Sequence, residues 1–467
     1  MPQLSRHEQE VPAAPLFNMK TVFLFIPNYV YSSDLLHTHF IRTLAERVRV
    51  IIFLPMSADA YLKHPNITYI SWALQFPSFW TFWGKTIRVP LIRMFDHEPL
   101  IQRNYQLSFG HWKRKVLRRI AFLFPKRFWN PNFITNLETR HIPFSPAFAK
   151  YVEDFHPSLI VTPTPGFTEM DAEAIVLARK SGIPSVAMDF SWDNLTSNCK
   201  HLRKTDYLIT WTDGMRKQAI AIHGYDPDRV SVSGIMRFDH YFQDEAGETA
   251  REAFLTKKGL DPKEKTILVT TVTRGNYKDE PAIIRELLKA RDAGIFPGRP
   301  NIFIRIHPKE DNYQEYKDFE RFPNVRVERG GHEREKNLGS RIELDASDLA
   351  NLKDTLRHSD VVVNYASTIT LEAFVFDKPV VNIGFPAYYM NAYSFSHYKP
   401  VVEAGAMRIA HSMEELLNEV DSYLREPSRD RTERAQAVSE FIGFHDGKSY
   451  ERAVDGIATI QNRASKQ

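Results

Sequence analysis

The chain has 467 residues, 43% hydrophobic, 12% aromatic and 25% charged, which are globular values at a length that suits two cores better than one. No run of about 18 apolar residues exists, so a membrane-spanning helix is excluded, and the polar, Pro-bearing residues 1–18 exclude a secretory signal and read as a disordered leader. The net charge of +4 is unevenly spread: residues 71–145 hold 12 of the 61 Lys and Arg but 3 of the 57 Asp and Glu, leaving the remainder slightly acidic.

From Met19 short apolar runs alternate with helical ones, the pattern of an α/β protein with mainly parallel sheets. TVFLFIP is a first strand, residues 35–48 a helix, and VIIFLP a second strand. The basic segment 71–145 then interrupts the rhythm with five of the seven tryptophans, Trp72, Trp80, Trp83, Trp112 and Trp129. Beyond it come the helix AFAKYVEDF, the strand SLIVTPTPG, a helix ending on Gly182, the strands PSVAMDF and DYLITWT, and a helix through His223. The single cysteine, Cys199, excludes an intrachain disulfide and a cysteine-based zinc site, and fits a reducing compartment in which the sequons at Asn66 and Asn194 are chance matches.

Near residue 235 the order restarts. A polar stretch, 243–265, leads into TILVTTVTRGN, NIFIRIHP, NVRVER, DVVVNYAS and PVVNIG, and helices near 412–424, 429–441 and 448–461 close the chain. Two α/β units in series create a cleft, and ligands of such units sit beyond the carboxyl ends of the strands.

His307 ends the strand NIFIRIHP, with Arg305 two positions earlier and Pro308 stopping the ladder. That placement aims the imidazole, with the guanidinium, at the cleft; the plain alternative is a histidine bonded to a nearby carbonyl. Further on, DVVVNYASTITLEAFVFDKPVVNIG runs from a strand through a turn into a helix expected from Ser367 to about Asp377. Its first N–H groups and dipole suit a phosphate, whereas Ser367 and Thr368 are otherwise ordinary caps. Glu372 lies one turn after Thr368, where a carboxylate can accept from ribose hydroxyls.

RIHPKE followed about sixty residues later by SDVVVNYASTITLEAFVFDKPVV resembles the donor-binding domain of GT-B glycosyltransferases. It is similar in particular to the group in which a His-Pro motif and a Ser/Thr pair hold the nucleotide phosphates, as in capsule polymerases and CDP-glycerol glycerophosphotransferases. STITLEA is also similar to the corresponding helix of lipid A disaccharide synthase and UDP-GlcNAc 2-epimerase. The resemblance covers roughly 230–385 and is weaker at AIVLARKSGIPSVAMDFSWDNLTS, and the chain lacks the glycine-rich turn that some relatives carry before this helix. It implies that His307, Ser367 and Thr368 contact donor phosphates and Glu372 the ribose, with Arg274 a further phosphate contact or a solvated loop arginine.

Transfer to a hydroxyl also needs a base. Asp193 and Asp34 are the leading candidates, beside Asp189, Asn194, Glu169 and Asp171, all after strands of the first unit; a capping role is the alternative for Asp193 and Asp34. Trp192 is suited to stack on a sugar ring. No HExxH or strand-ending Asp-x-Asp is present, so no metal is expected, and Asp345 and Asp348 read as helix caps rather than ligands. HWKRKVLRRIAFLFPKRFW interleaves cations with aromatics, which fits an anionic membrane surface or the core and solvated face of the acceptor unit; no nucleic-acid motif is present.

The expectation is therefore a GT-B-like α/β protein of two Rossmann-like domains: an acceptor domain, 19–235, with the insertion 71–145, a nucleotide-sugar domain, 236–425, and helices at 426–467 packing back across both. The expected reaction moves a sugar from a nucleotide-sugar donor, a substrate rather than a cofactor, to a hydroxyl of a cell-envelope or capsular glycan or a lipid-linked acceptor. The expected location is cytoplasmic, with peripheral contact at the inner face of the plasma membrane. Alternatives are glycerol phosphate transfer from CDP-glycerol, a UDP-GlcNAc 2-epimerase-like reaction, and an inert nucleotide-binding protein of the same fold.

Overall fold

The structure, a computed structural model, describes residues 19–88, 98–101, 103, 112–121, 123–197, 201, 203–243, 249–273, 277–310, 312–334, 342–386 and 389–464. In chain order its strands are β1 (Thr21–Phe25), β2 (Arg49–Leu54), β3 (Ile67–Ser71), β4 (Pro157–Thr162), β5 (Ser185–Met188), β6 (Tyr207–Thr210), β7 (Val230–Val232), β8 (Thr266–Thr270), β9 (Asn301–Ile306), β10 (Val325–Arg329), β11 (His332–Glu333), β12 (Ile342–Glu343), β13 (Val361–Asn364), β14 (Val380–Ile383) and β15 (Arg408–Ala410). β1 to β7 form one sheet in the order 3-2-1-4-5-6-7, and a second runs 10-9-8-13-14-15. Every pairing in both sheets is parallel, in registers such as Val22 with Val50 and Val362 with Val380. Strands so placed are covered on both faces, which is why they read as unbroken apolar runs. The order reverses between β1 and β4 and again between β8 and β13, so each sheet has its crevice there.

Side chains alternate across β1. Val22 and Leu24 join a core with Val50, Ile52 and the helix Ser449–Ala464, through Ala453, Val454 and Ile457; Phe23 and Phe25 join another with Phe53, Trp72 and Phe148. Each such fully buried side chain contributes about 1.5–3 kcal/mol. The closing helix thus lies against the first sheet. A third core is continuous across the two units, uniting Trp211, Phe238 and Tyr241 with Tyr365, Leu371 and Tyr398.

The helix expected over 35–48 begins only at His39 and runs to Arg47, and a separate helix, Tyr29–Leu35, precedes it. Short hydroxyl side chains compete for its carbonyls: Ser32 and Ser33 donate to Tyr29 O at 2.9 and 3.0 Å, and Thr38 to Asp34 O at 2.9 Å. Asn28 caps the earlier helix, accepting from Val30 N–H at 3.0 Å, so Asp34 lies inside that helix and is not its cap. The helix expected from Ser367 is shorter, Ile369–Val375, with Thr368 in the capping position.

The basic and aromatic segment divides in two. Trp72 is core, its Nε1 donating to Glu173 at 3.1 Å, and Trp83 donates to buried Glu138 at 2.9 Å. Glu138 also pairs with Arg88 at 3.0 Å and Arg203 at 2.8 Å. By contrast Trp112, Val116 and Ile120 of the helix Trp112–Ala121, and Leu123 and Phe124 after it, are exposed, Trp112 at 69% and Leu123 at 82%. Among the described residues no helix is long and apolar enough to cross a membrane.

Candidate active site

β8, β9 and β13 are adjacent in the second sheet, so the loops that follow them form one wall of the cleft. Thr271, after β8, ties two of these loops: its N–H donates to Arg305 O at 3.0 Å and its hydroxyl accepts from His307 N–H at 2.9 Å. The Pro308 turn lets Lys309 N–H donate to His307 Nδ1 at 3.1 Å. A neutral imidazole that accepts at Nδ1 carries its proton on Nε2, leaving a donor. Burial and then the nearby Lys309 ammonium push its pKa down to about 4, so the ring is neutral at pH 7. The ends of β9 and β13 are two strand spacings, about 10 Å, apart, with Thr271 between.

At the end of β13, Ser367 and Thr368 are half-buried. Ser367 Oγ accepts from Ile369 N–H at 3.4 Å, and Thr368 makes no side-chain cap bond. Beneath them Thr370 is buried and bonded to Asn364 at 3.1 Å, Tyr398 at 2.8 Å and Asn382 at 3.3 Å, while Thr270 donates to Asn364 at 2.6 Å. That satisfied network fixes the turn from below.

Glu372 is buried, and its Oε2 accepts from the Tyr241 hydroxyl at 2.6 Å; Oε1 lies 3.8 Å from Arg237. Arg305 is turned toward the same group. Burial lowers its pKa, opposed by Glu328, Tyr241, Asp348 and Glu372. Gly330 makes room for it, since a Cβ there would stand 2.8 Å from Arg305 Nη2. Arg305 Nη1 and Arg237 Nε are buried without hydrogen-bond partners. Orphan guanidinium donors at a cleft suit an anion.

The facing wall comes from the first sheet. Asp34 is buried, and burial raises its pKa to about 6, offset by Arg237 and reinforced by Glu372. Asp189 is raised to about 7 by burial; its Oδ1 accepts from Asn194 at 2.7 Å and its Oδ2 has no partner. Asp193 accepts from the Ser191 hydroxyl with its carboxylate, and its carbonyl accepts from Thr196 and Ser197 N–H at 3.0 and 2.8 Å. Asp171, raised to about 7 by burial, is engaged by the Thr164 hydroxyl. Tyr31 is common to all: burial first, then Asp171, Asp189, Asp34 and Asp193, raise its pKa, so four carboxyls surround one phenol. Glu169 lies in the first turn of the helix Glu169–Ser181. Trp192 is half-buried beside His397 and Tyr398, with ring centroids at 5.3 and 5.2 Å and interplanar angles of 77° and 58°. Arg274 falls outside the described residues.

The structure therefore brings Arg305, Glu372 and Asp34 into one cluster. Arg237 and Tyr241, on the linking 3-10 turn Met236–Tyr241, complete it; sequence pattern did not reveal them, because a polar linker carries no periodicity. A second contact missed from sequence joins the units. Glu343, 1% exposed at its side chain, accepts from Ser32 at 2.7 Å, His37 at 3.0 Å and Tyr61 at 2.9 Å, and from Arg334 at 2.9 Å on its other oxygen. Leu344 N–H adds a bond to Ser33 at 3.0 Å. Burial alone would raise the Glu343 pKa; the bonds from His37, Ser32 and Tyr61 outweigh it and hold it at about 2.

Asp345 and Asp348 cap the helix Ala346–Arg357 reciprocally, as their spacing suggested. With His332 they place three ligand-type atoms within 4.8 Å of one another, the one such group among the described residues. Both carboxylates are already spent on backbone N–H groups and on His332.

Residues 172–459 fit the family described as CDP-Glycerol:Poly(glycerophosphate) glycerophosphotransferase. A putative UDP-N-acetylglucosamine 2-epimerase from Listeria monocytogenes is 12% identical at a TM-score of 0.56, covering 96% of this chain and 98% of its own. The S. aureus MnaA structure with UDP is 14% identical at 0.54, covering 95% and 97%. A glycosyltransferase from Rickettsia africae is 10% identical at 0.52, covering 97% and 100%. At such identities the likeness is one of fold, the two-domain GT-B arrangement. No curated protein matches the chain in sequence.

Proposed function

We infer that this chain, which belongs to the CDP-glycerol:poly(glycerophosphate) glycerophosphotransferase family, is a transferase that takes a sugar from a nucleotide-sugar donor and adds it to a hydroxyl of a cell-envelope or capsular acceptor. The observation that carries this reading is the donor wall: a neutral His307 with a free Nε2–H, the Ser367 and Thr368 hydroxyls, and the two orphan guanidinium donors of Arg237 and Arg305. In this reading the acceptor oxygen attacks the anomeric carbon and the bond from that carbon to the diphosphate oxygen breaks. The hydroxyl proton passes to Asp34, whose pKa of about 6 suits a base at neutral pH. Negative charge gathering on the departing diphosphate meets donors already in place, and those donors support a reaction that needs no metal. Glu372, with Tyr241 on one oxygen, keeps lone pairs for a ribose hydroxyl.

The family match favours a second reading, glycerol phosphate transfer, in which phosphorus is attacked and a nucleoside monophosphate leaves. The released nucleotide separates the two. A thermal-shift panel of UDP, GDP, CDP and CMP selects the base, and chromatography of the matching donor after incubation with acceptor shows the product. A nucleoside diphosphate is expected; the monophosphate selects the second reading, and neither binding nor release of any nucleotide rejects both.

The exposed Trp112, Ile120, Leu123 and Phe124 beside the basic run WKRKVLRR support peripheral attachment to an anionic bilayer. Sedimentation with phosphatidylglycerol vesicles, weakened by salt, is the expected result. Absence of binding at low salt removes this part of the reading.

A further inference from the structure

A cavity of about 550 Å³ opens on the far side of the 3-10 turn Met236–Tyr241 from the donor cluster, lined by other residues of that turn. Met236, Asp239 and His240 line it from the turn, and Leu36–His39, Ile41, Arg42, Leu349 and Lys353 complete much of its wall. Arg237, Tyr241, Glu372 and Asp34 do not reach it. The volume lies within the roughly 300–1,000 Å³ of pockets that enclose small organic molecules.

Its charge is one-sided. Asp239 is the sole carboxylate in the lining, and it is already committed, accepting from Ser449 and Tyr450 N–H at 2.9 Å each. Against it stand the cations Arg42 and Lys353 and the rings of His39 and His240; burial pushes the His240 pKa down to about 4, so that ring is neutral at pH 7 and acts through hydrogen bonds rather than charge. Lys353 is pinned to Gln243 O at 2.9 Å, but Arg42 is exposed and pairs with no acid among the described residues, and His240 Nε2 is buried without a partner. His39 and Arg42 belong to the first turn of the helix His39–Arg47, whose capping residue Thr38 gives its hydroxyl to Asp34 O rather than to the helix. The first-turn N–H groups therefore keep no side-chain cap where the cavity begins. Leu36, Leu62, Met236 and Leu349 give the cavity an apolar wall, with His37, Thr38 and Tyr450 also in its lining.

We propose that this cavity is a second ligand site, for a phosphate monoester with an apolar body: the phosphate lies among Arg42, His39, His240 and the helix start, and the body against Leu62, Met236 and Leu349. The site goes beyond the transfer reading and uses none of its residues. Such a phosphate comes either from a lipid or from a small water-soluble ester, and the apolar wall favours the first.

The full chain is titrated calorimetrically with geranyl phosphate below its aggregation threshold, with glycerol 1-phosphate and with geraniol. In parallel, ring signals of ¹³C-labelled histidine are followed by NMR, those of His39 and His240 being assigned by H39Q and H240Q. Geranyl phosphate is expected to bind at least ten-fold tighter than either half-molecule, to shift both ring signals, and to lose at least ten-fold in R42Q/H240Q while the nucleotide thermal shift is kept. Equal binding of geranyl phosphate to R42Q/H240Q and wild type overturns the proposal. So does glycerol 1-phosphate binding as tightly as geranyl phosphate, or no binding by wild type. A nucleotide response unchanged in R42Q/H240Q also certifies that the variant is folded, so failure here is distinct from failure of the transfer reading.

Discussion

Glu343→Ala probes the bond that joins the two units. The Glu343 carboxyl, with an ordinary pKa of 4.5, stands at about 2 in the folded chain, a difference worth about 3 kcal/mol. Removing it strands His37, Ser32 and Tyr61 in a buried site, and losing one partner of a buried charged cluster costs about 3–5 kcal/mol. The Arg334 side chain is 36% exposed and regains water, which places the loss at the lower end, about 3 kcal/mol. At roughly 2 °C per kcal/mol for a long chain, the first calorimetric transition falls by about 6 °C at pH 7. The sign of the pH effect follows from the depressed pKa. The stabilisation is fully present above about pH 5 and is lost as pH falls through about 2, so wild type and variant converge on acidification. Differential scanning calorimetry between pH 7 and 3 reads both effects, and H37A in a double-mutant cycle must be less than additive with E343A. A gap that stays constant across that range, or never appears, refutes this account of the contact.

Three further outcomes test the cleft. His307→Ala removes one prearranged donor and is expected to lower turnover by about 10²–10³ with the melting profile intact; an unchanged rate with the correct donor assigns the ring to packing. Asp34→Asn abolishes the acidic limb that the wild-type pH–rate profile shows near pH 6, and a limb that persists in D34N moves the base to Asp189 or Asp193. Gly330→Ala sets a Cβ 2.8 Å from Arg305 Nη2 and displaces the guanidinium, so donor KM rises several-fold while kcat moves less; an unaltered KM removes Arg305 from donor binding.

What the sequence made legible is what periodicity and strand ends encode. The alternation of VVV-type runs with amphipathic helices encodes both parallel sheets, and the ends of such runs are where His307, Ser367 and Thr368 stand as proposed phosphate contacts. Asp34 follows the first strand, and the capping alternative to its role as a base falls away because Asn28 and Thr38 hold the capping positions. Glu343 and Tyr61 are 282 residues apart, and no local pattern announces a contact that exists only after both units have folded. Arg237 and Tyr241 were hidden for a related reason. A 3-10 turn in a polar linker looks like a loop until its partners Glu372 and Asp34 arrive from either side.

Burial acts in opposite senses on the two walls, and the difference assigns their roles. On the donor wall it drives His307 down to about 4, so at neutral pH the ring is an uncharged donor whose protonation does not change as a phosphate comes and goes. Permanent positive charge there comes from the guanidinium groups of Arg237 and Arg305, the latter staying protonated although burial disfavours it. On the acceptor wall burial lifts Asp34 to about 6 and Asp189 to about 7, the range in which a carboxylate takes a proton from a hydroxyl most effectively. Arg237 belongs to both walls, facing Glu372 at 3.8 Å and lowering the pKa of Asp34. An arriving diphosphate that draws this guanidinium toward itself withdraws support from the Asp34 carboxylate and raises its proton affinity. Donor binding would in that way make the base stronger just as the acceptor oxygen needs it, and the acidic limb of kcat should lie above that of kcat/KM. If the two limbs coincide, Arg237 does not couple the walls.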